Sequence, residues 1–332
     1  MNSIGGKNQS GSKKKVVIAI GGNSILQQDQ VGTYEEQQEN IKKTAKFIAS
    51  IVLGKHRYEI SVITHGNGPQ VGNLLLQQEF AKEVPNQPMH TVVAMTQGQI
   101  GYMIQQALQN EFIKLKKNKK IVSLITQTVV TEKNSKLTNI PPTKPIGPFF
   151  TESEAKKLRN STNHIYKKVK PTGGKTWRRV VPSPKPLEIV ELDIVKKLVE
   201  DSCLLIAGGG GGIPVSKNSS GFEGVDCVVD KDHVASLLAK SIGASVLFLL
   251  TDIDKVKLNY GKPNESDLDV ITVKTAKKLL KEGAFLEGSM KPKILASLDF
   301  LESGGDIAII TSFDHAVAAL NGKAGTRIIS KN

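Results

Sequence analysis

The sequence predicts an α/β fold built on a largely parallel sheet. Short apolar runs at Val16–Ile20, Ile60–Thr64, Cys203–Ala207 and Val246–Leu250 have strand length and strand-type content. Each is followed by a glycine-rich or polar turn, and stretches with helical spacing lie between them. Strands that alternate with helices form a parallel sheet with helices on its faces, and such sheets hold ligands beyond the carboxyl ends of their strands.

Val16–Ile20 (VVIAI) runs into Gly21-Gly22-Asn23, the pattern of a buried strand, a turn and a helix start. Tyr34–Leu53 places Ile41, Ala45, Ile48, Ile51 and Val52 at helical spacing. Ile60–Thr64 is a second strand, followed by His65-Gly66-Asn67-Gly68 and a helix from Gln70. Thr91–Asn110 is helical in spacing, although Gly98 and Gly101 weaken it. Ile121–Val130 reads as a third strand. Residues 131–187, rich in proline, glycine and charge, are expected to form a protruding lid with little core of its own. A second α/β half is expected to follow. It holds a helix to about Glu200, the strand 203–207, a helix at Asp232–Ile242 and the strand Val246–Leu250. Helices at Lys274–Glu282 and Pro292–Glu302 and a strand at Asp306–Ile310 complete it.

The chain has 332 residues, more than one domain usually holds, so two lobes are expected. They are residues 15–200, with the lid at about 131–187, and residues 201–332, after a mobile polar tail at 1–14. The net charge is +14, and almost all of the basic residues are lysine, arginine standing only at 57, 159, 178, 179 and 327. Such a surface attracts phosphorylated anions. It does not point to nucleic acid, because aromatics are only 5% of the chain and neither basic–aromatic interleaving nor a recognition helix is visible. Cys203 and Cys227 match no metal or redox spacing, no apolar stretch reaches membrane-spanning length, and no signal core opens the chain, so a cytoplasmic protein is expected. The histidines show no i, i+4 ligand pairing, and no protein metal cage is expected; His65 opens a glycine turn and is placed to hydrogen-bond nearby.

Three glycine turns carry the first chemical signal: Gly21-Gly22, Gly66-Asn67-Gly68 and Gly208–Gly212. Glycine lets backbone N–H groups approach a phosphate unobstructed. One such turn is ordinarily a tight connection; three after strands point to phosphate binding. There is no G-x-x-x-x-G-K-[ST] loop, and no helical pattern directly follows Gly208–Gly212, which argues against a dinucleotide fingerprint. Lysines beside glycine or proline carry the second signal: Lys144 in PTKPIG, Lys231 in VVDKD with Asp232 beside it, and Lys293 in GSMKPK. Phosphoryl transfer asks a protein for positioning and for charge on the moving oxygens, which lysines held by a carboxylate supply.

Together AIGGNSIL (19–26), HGNGPQVGNLL (65–75), PTKPIGPFF (142–150), WRRVVPSPKP (177–186), AGGGGGIPV (207–215), DCVVDKDHVASLLA (226–239), LTDIDKV (250–256) and FLEGSMKPK (285–293) resemble the carbamate kinases of the amino acid kinase family. The resemblance runs from about residue 15 to 330. It implies an open αβα sandwich whose first lobe takes the phosphoryl acceptor and whose second takes the nucleotide. It also implies a homodimer, Mg²⁺ with ATP or ADP, and ATP formation from ADP and carbamoyl phosphate in arginine catabolism through the arginine deiminase pathway. By the same resemblance Gly21, Gly22, Asn23, Gly66, Asn67 and Gly68 surround carbamate and the transferred phosphoryl group. Lys144 reaches in from the lid, Lys231 and Lys293 contact phosphates, and Asp232 orients the lysines. Gly209, Gly210, Asp252, Val256, Tyr260 and Met290 line the nucleotide site. Many amino acid kinases carry a lysine two residues before the first Gly-Gly; here Ala19 stands there, and the lid lysine takes its place, as in carbamate kinases. A kinase of this fold acting on an amino acid or UMP is the nearest alternative, and PTKPIGPFF and WRRVVPSPKP argue against it.

Overall fold

The apolar runs become the strands of one sheet in the computed structural model, which describes residues 13–27, 30–54, 58–81, 83–132, 140–162, 164–169, 173–285 and 290–330. The chain begins β1 (Lys14–Ile20), α1 (Tyr34–Leu53), β2 (Tyr58–His65), α2 (Gly68–Phe80), α3 (Met89–Lys114), β3 (Ile121–Ser123), β4 (Gln127–Glu132). The lid follows as β5 (Lys144–Phe150), α4 (Glu152–Ser161), β6 (Ile165–Lys168) and β7 (Trp177–Val181), and the chain leaves it through β8 (Glu188–Ile189) and α5 (Leu192–Glu200). Next come β9 (Leu204–Ile206), β10 (Ile213–Asn218), β11 (Gly221–Gly224), α6 (Lys231–Ser241), β12 (Val246–Thr251), β13 (Val256–Leu258) and β14 (Ser266–Leu268). The last elements are β15 (Val270–Thr272), α7 (Val273–Lys281), α8 (Met290–Glu302), β16 (Ile307–Ser312), α9 (Ala316–Leu320) and β17 (Thr326–Ile329).

Among the described residues eight strands form the central sheet, in the order β15-β17-β16-β12-β1-β2-β9-β3. Neighbours are parallel except β16 with β17. Successive side chains of a strand point to opposite faces. Val17, Ala19, Leu247 and Leu249 therefore join one core with α5 to α8, while Val16, Ile18, Ile20, Val246, Phe248 and Leu250 join another with α1, α3 and α9. Strands buried on both faces read as continuous apolar runs, which is why β1 and β12 were conspicuous in the sequence. The result is an open αβα sandwich. β1, near the middle, pairs with β12 on one side and β2 on the other, and β9 is inserted between β2 and β3. Strands from both expected lobe ranges thus share one sheet.

Local chemistry sets the boundaries. Thr33 starts α1 with a capping box, its hydroxyl accepting the Glu36 N–H while the Glu36 carboxylate accepts the Thr33 N–H. The expected single strand at Ile121–Val130 is two. β3 ends the central sheet, and β4 belongs to a four-stranded sheet of order β11-β10-β4-β8. The break falls where Thr126 turns its polar groups to Gln97, whose side-chain oxygen accepts the Thr126 N–H at 3.1 Å. The lid is more regular than expected: β5, β7 and β6 form an antiparallel sheet, and Phe150 meets Tyr166 edge-on. Ile146 and Val181 of the lid pack on Met89, with Leu75 and Val228 beside them. Of the expected tail at 1–14, residues 1–12 lie outside the described residues. No described helix is long and apolar enough to cross a membrane.

Candidate functional site

The carboxyl ends of β1, β2 and β12 open into one cavity of about 1050 Å³. Gly21, Gly22, Gly66, Asn67, Gly68, Gly210, Lys144, Lys231, Asp232, Asp252 and Lys293 all line it. A second cavity of about 400 Å³ continues from it beneath the lid, sharing Asn67, Lys144 and Gly210 and adding Ile146, Gly147 and Arg178. The parallel topology explains the convergence, because glycine turns at the same end of adjacent strands become neighbours in space. A Cβ at Gly66 would come within 3.4 Å of the Gly22 backbone nitrogen, so the first two turns touch.

The glycine run serves a different purpose from its neighbours. Gly209–Gly211 is buried, and Gly210 has φ +64. A Cβ at Gly210 would overlap the Asn67 amide, and one at Gly209 the His65 ring. The run is glycine because two site side chains pack directly against its backbone. Asn67 is held there by donating to Thr96 Oγ1 at 2.9 Å. His65 donates from Nδ1 to the Gly66 carbonyl at 3.0 Å, and burial pushes its imidazole down to about 4, so the ring is neutral.

Three ammonium groups are held by two carboxylates. Asp232, in the first turn of α6, accepts from Lys231 Nζ at 2.8 Å and from Lys293 Nζ, on α8, at 2.9 Å. Asp232 is 3% exposed and Lys293 7%. Burial pushes the Asp232 carboxyl up, but the two ammonium groups outweigh it and hold the carboxyl well below its usual range. Burial also pushes Lys231 down, but Asp232 and Asp230 outweigh that and raise it. Lys293 is lowered, since burial dominates and the charge of Lys231 opposes its own. The lid lysine has a carboxylate of its own: Lys144 Nζ donates to Asp230 Oδ2 at 3.0 Å. Burial and Asp232 push the Asp230 carboxyl up, yet Lys144, Lys231 and the Asp232 amide hold it low. Within this cluster three ammonium groups stand against two carboxylates, a local excess of one positive charge.

Asp230 was not expected from the sequence. Its signal is an aspartate one residue before a helix, the position where a side chain caps the first turn. Arg178 was also missed; its Nε donates to the Gly147 carbonyl at 2.9 Å and its guanidinium lies 4.9 Å from the Phe149 ring, on the wall of the smaller cavity. Four expected nucleotide residues do not reach either cavity wall, and one of them, Gly209, is buried against the His65 ring. Val256 is fully buried, its N–H donating to Thr326 Oγ1; Met290 is buried at the start of α8; Tyr260 is exposed beyond β13. The backbone of Asn23 lies in the turn after β1, and its side chain is outside the described residues, as are residues 286–289 of the FLEGSMKPK segment. Among the described residues no cluster of three or more histidine, cysteine, aspartate or glutamate side chains could hold a metal ion.

The profile of the Amino acid kinase family matches residues 14–312. The carbamate kinase of Thermococcus kodakarensis is 49% identical over 319 residues, 95% of this chain and 99% of that one. That of Giardia intestinalis is 44% identical over 319 residues, 95% of this chain and 98% of that one. Among solved structures, carbamate kinase from Giardia lamblia bound to AMP-PNP superposes with a TM-score of 0.87 at 44% identity, covering 96% of this chain and 99% of that one. With the family profile matched over residues 14–312 and the carbamate kinases matched over nearly the full length, the chain belongs to the amino acid kinase family, among its carbamate kinases.

Proposed function

We propose that this protein transfers a phosphoryl group reversibly between ATP and carbamate, forming ATP from ADP and carbamoyl phosphate. One observation carries the reading: Lys144, Lys231 and Lys293 converge, each on a carboxylate, in a cavity lined by glycine turns. No histidine or cysteine stands among the described residues on the wall of that larger cavity, which suits an acceptor that needs no strong base. Carbamate is already nucleophilic, so alignment and charge neutralisation suffice. The turns of residues 15–200 would take carbamate and the moving phosphoryl group, and residues 201–332 the nucleotide. That the Giardia lamblia relative is bound to AMP-PNP supports an adenine nucleotide as a ligand.

Mg²⁺ would enter with the nucleotide, held mainly by phosphate oxygens and water. Asp252 and Asp314 are the further carboxylates of this chain on the cavity wall, and they would be the residues placed to contact the ion. Bound there, the ion supplies charge to the phosphates. The proposed place of the reaction is the ATP-forming step of the arginine deiminase pathway, in the cytoplasm. A homodimer is also proposed, through the outer face of α3. From Met89 to Asn110 that helix has no Asp, Glu, Lys or Arg, and Met95 and Tyr102 are about half exposed. An uncharged face lets two copies of charge +14 approach with little local repulsion.

The decisive assay supplies ADP, Mg²⁺ and carbamoyl phosphate, with acetyl phosphate as parallel donor. Rapid ATP formation from carbamoyl phosphate alone is expected. A folded, Mg²⁺-supplied protein that forms no ATP would overturn the reading.

A further inference from the structure

Asp230 stands where the lid meets α6, and its two oxygens do different things. Oδ1 accepts the Asp232 N–H at 3.0 Å and caps the helix. Oδ2 accepts the Lys144 ammonium at 3.0 Å. The capped turn carries Lys231 and Asp232, and Asp232 holds Lys293. A single carboxylate thus ties the ammonium of the lid to the helix turn that organises the other two. Both partners of the tie line the large cavity, with side chains 15% exposed for Asp230 and 32% for Lys144.

Lysine is long and has many rotamers, so its ammonium is aimed only when a partner fixes it. Asp230 can fix it because the helix N-terminus fixes Asp230. Two further contacts seat the lid on the same segment between β11 and α6. The Val228 N–H donates to the Pro182 carbonyl at 3.1 Å, and the Arg179 guanidinium lies 3.7 Å from Asp226. Lys144 is paired on the opposite strand with Val181, so one pull on its ammonium reaches both β5 and β7.

We propose that Asp230 is a positioning residue for the phosphoryl transfer. It sets where the Lys144 ammonium stands over the transferred group, and it holds the β5 edge of the lid against α6. The kinetic part rests on the carbamate kinase reading; the seating of the lid does not.

Asp230→Asn separates the two tasks of the side chain. Asparagine caps a helix as well as aspartate does, so the Asp232 N–H keeps its partner while Lys144 loses its counter-ion. The kcat for ATP formation should fall about 100-fold, the effect of misplacing a group by about 1 Å, with KM for ADP nearly unchanged. Asp230→Glu, which keeps the charge, should recover part of the loss. In a Lys144→Ala background Asp230→Asn should have no additional effect, because groups that act as a unit are not additive. A wild-type kcat in Asp230→Asn, or losses that multiply in the double variant, would overturn the kinetic role. Hydrogen exchange of the free protein reads the seating without turnover. The β5 amides of Asp230→Asn should exchange faster than those of the wild type while the α6 amides stay protected; equal β5 rates would overturn the seating. A wild-type protein that makes no ATP, with β5 still loosened in the variant, would defeat the kinase reading and leave the lid contact standing.

Discussion

Asp232 holds two buried ammonium groups with one carboxylate, and this concentrates both stability and chemistry in one side chain. Asp232→Asn leaves Lys231 and Lys293 facing each other with their shared counter-charge gone. Breaking a buried ionic network in this way costs about 3–5 kcal/mol, so the urea midpoint of Asp232→Asn should drop accordingly. Lys293→Ala removes a charge donor instead, and its kcat should fall about 10²–10³-fold. Near-normal turnover would remove Lys293 from the mechanism. His65 gives a pH signature that these groups do not share. Folded, its imidazole protonates only near pH 4, whereas its ordinary value is 6.5. Between those values the unfolded chain binds the proton and the folded protein does not. The stabilisation is therefore complete above pH 6.5 and is lost as pH falls toward 4, by roughly 3 kcal/mol. Urea midpoints measured from pH 7 to pH 4 should show this slope, and His65→Gln should reduce it, leaving the part due to His164, whose imidazole burial also lowers. Asp232 does not confuse the measurement, since both its ordinary 3.8 and its depressed folded value lie below that window.

The glycine turns look alike in sequence and differ in use, which substitutions can expose. Gly210→Ala forces an alanine to φ +64 and pushes its Cβ into the Asn67 amide. Strain and overpacking together should cost about 2–4 kcal/mol, read as a lowered thermal midpoint. A Cβ at Gly22 meets nothing within 4 Å, so Gly22→Ala should keep the wild-type midpoint and weaken phosphate approach, raising KM instead. The difference was illegible in sequence because it depends on β2 bringing His65 and Asn67 against a run more than 140 residues later. α1 was legible to the residue, since periodicity and the Thr33–Glu36 capping box agree. The strand at 121–130 was not, because the switch between sheets rests on Gln97 reaching Thr126 across the fold. β13, β14, β15 and β17 escaped notice because each is only three or four residues long. Of the site, Lys144 and Lys293 stood out through their proline and glycine neighbours, and Lys231 through Asp232 beside it at the end of an apolar run. Asp230 did not, because its partner Lys144 lies 86 positions away.

At the scale of the molecule, both halves of the chain contribute to one hydrogen-bonded sheet. Unfolding should therefore give a single calorimetric transition. Thiol labelling tests the same cooperativity. Cys203 and Cys227 are buried and free, and burial pushes the Cys227 thiol up to about 12. A thiol reagent should label neither in the native protein and both once urea passes the unfolding midpoint; labelling of the native protein would show that a part opens on its own. The position of β1 has a mechanical consequence. It is laddered to β12 and β2 on its two sides, so bending the frame at its middle would break backbone hydrogen bonds along a whole strand. The roof over the cavity is fastened mainly through side chains: the Lys144, Arg179 and Lys185 ion pairs, the Val228–Pro182 peptide hydrogen bond, the close approach of Gly147 to Gly72 on α2, and a small apolar seat. Floor and walls are braced along whole strands, whereas Lys144 belongs to the roof, so any loosening of the roof carries one of the three ammonium groups away while the sheet that bears the other two keeps its shape.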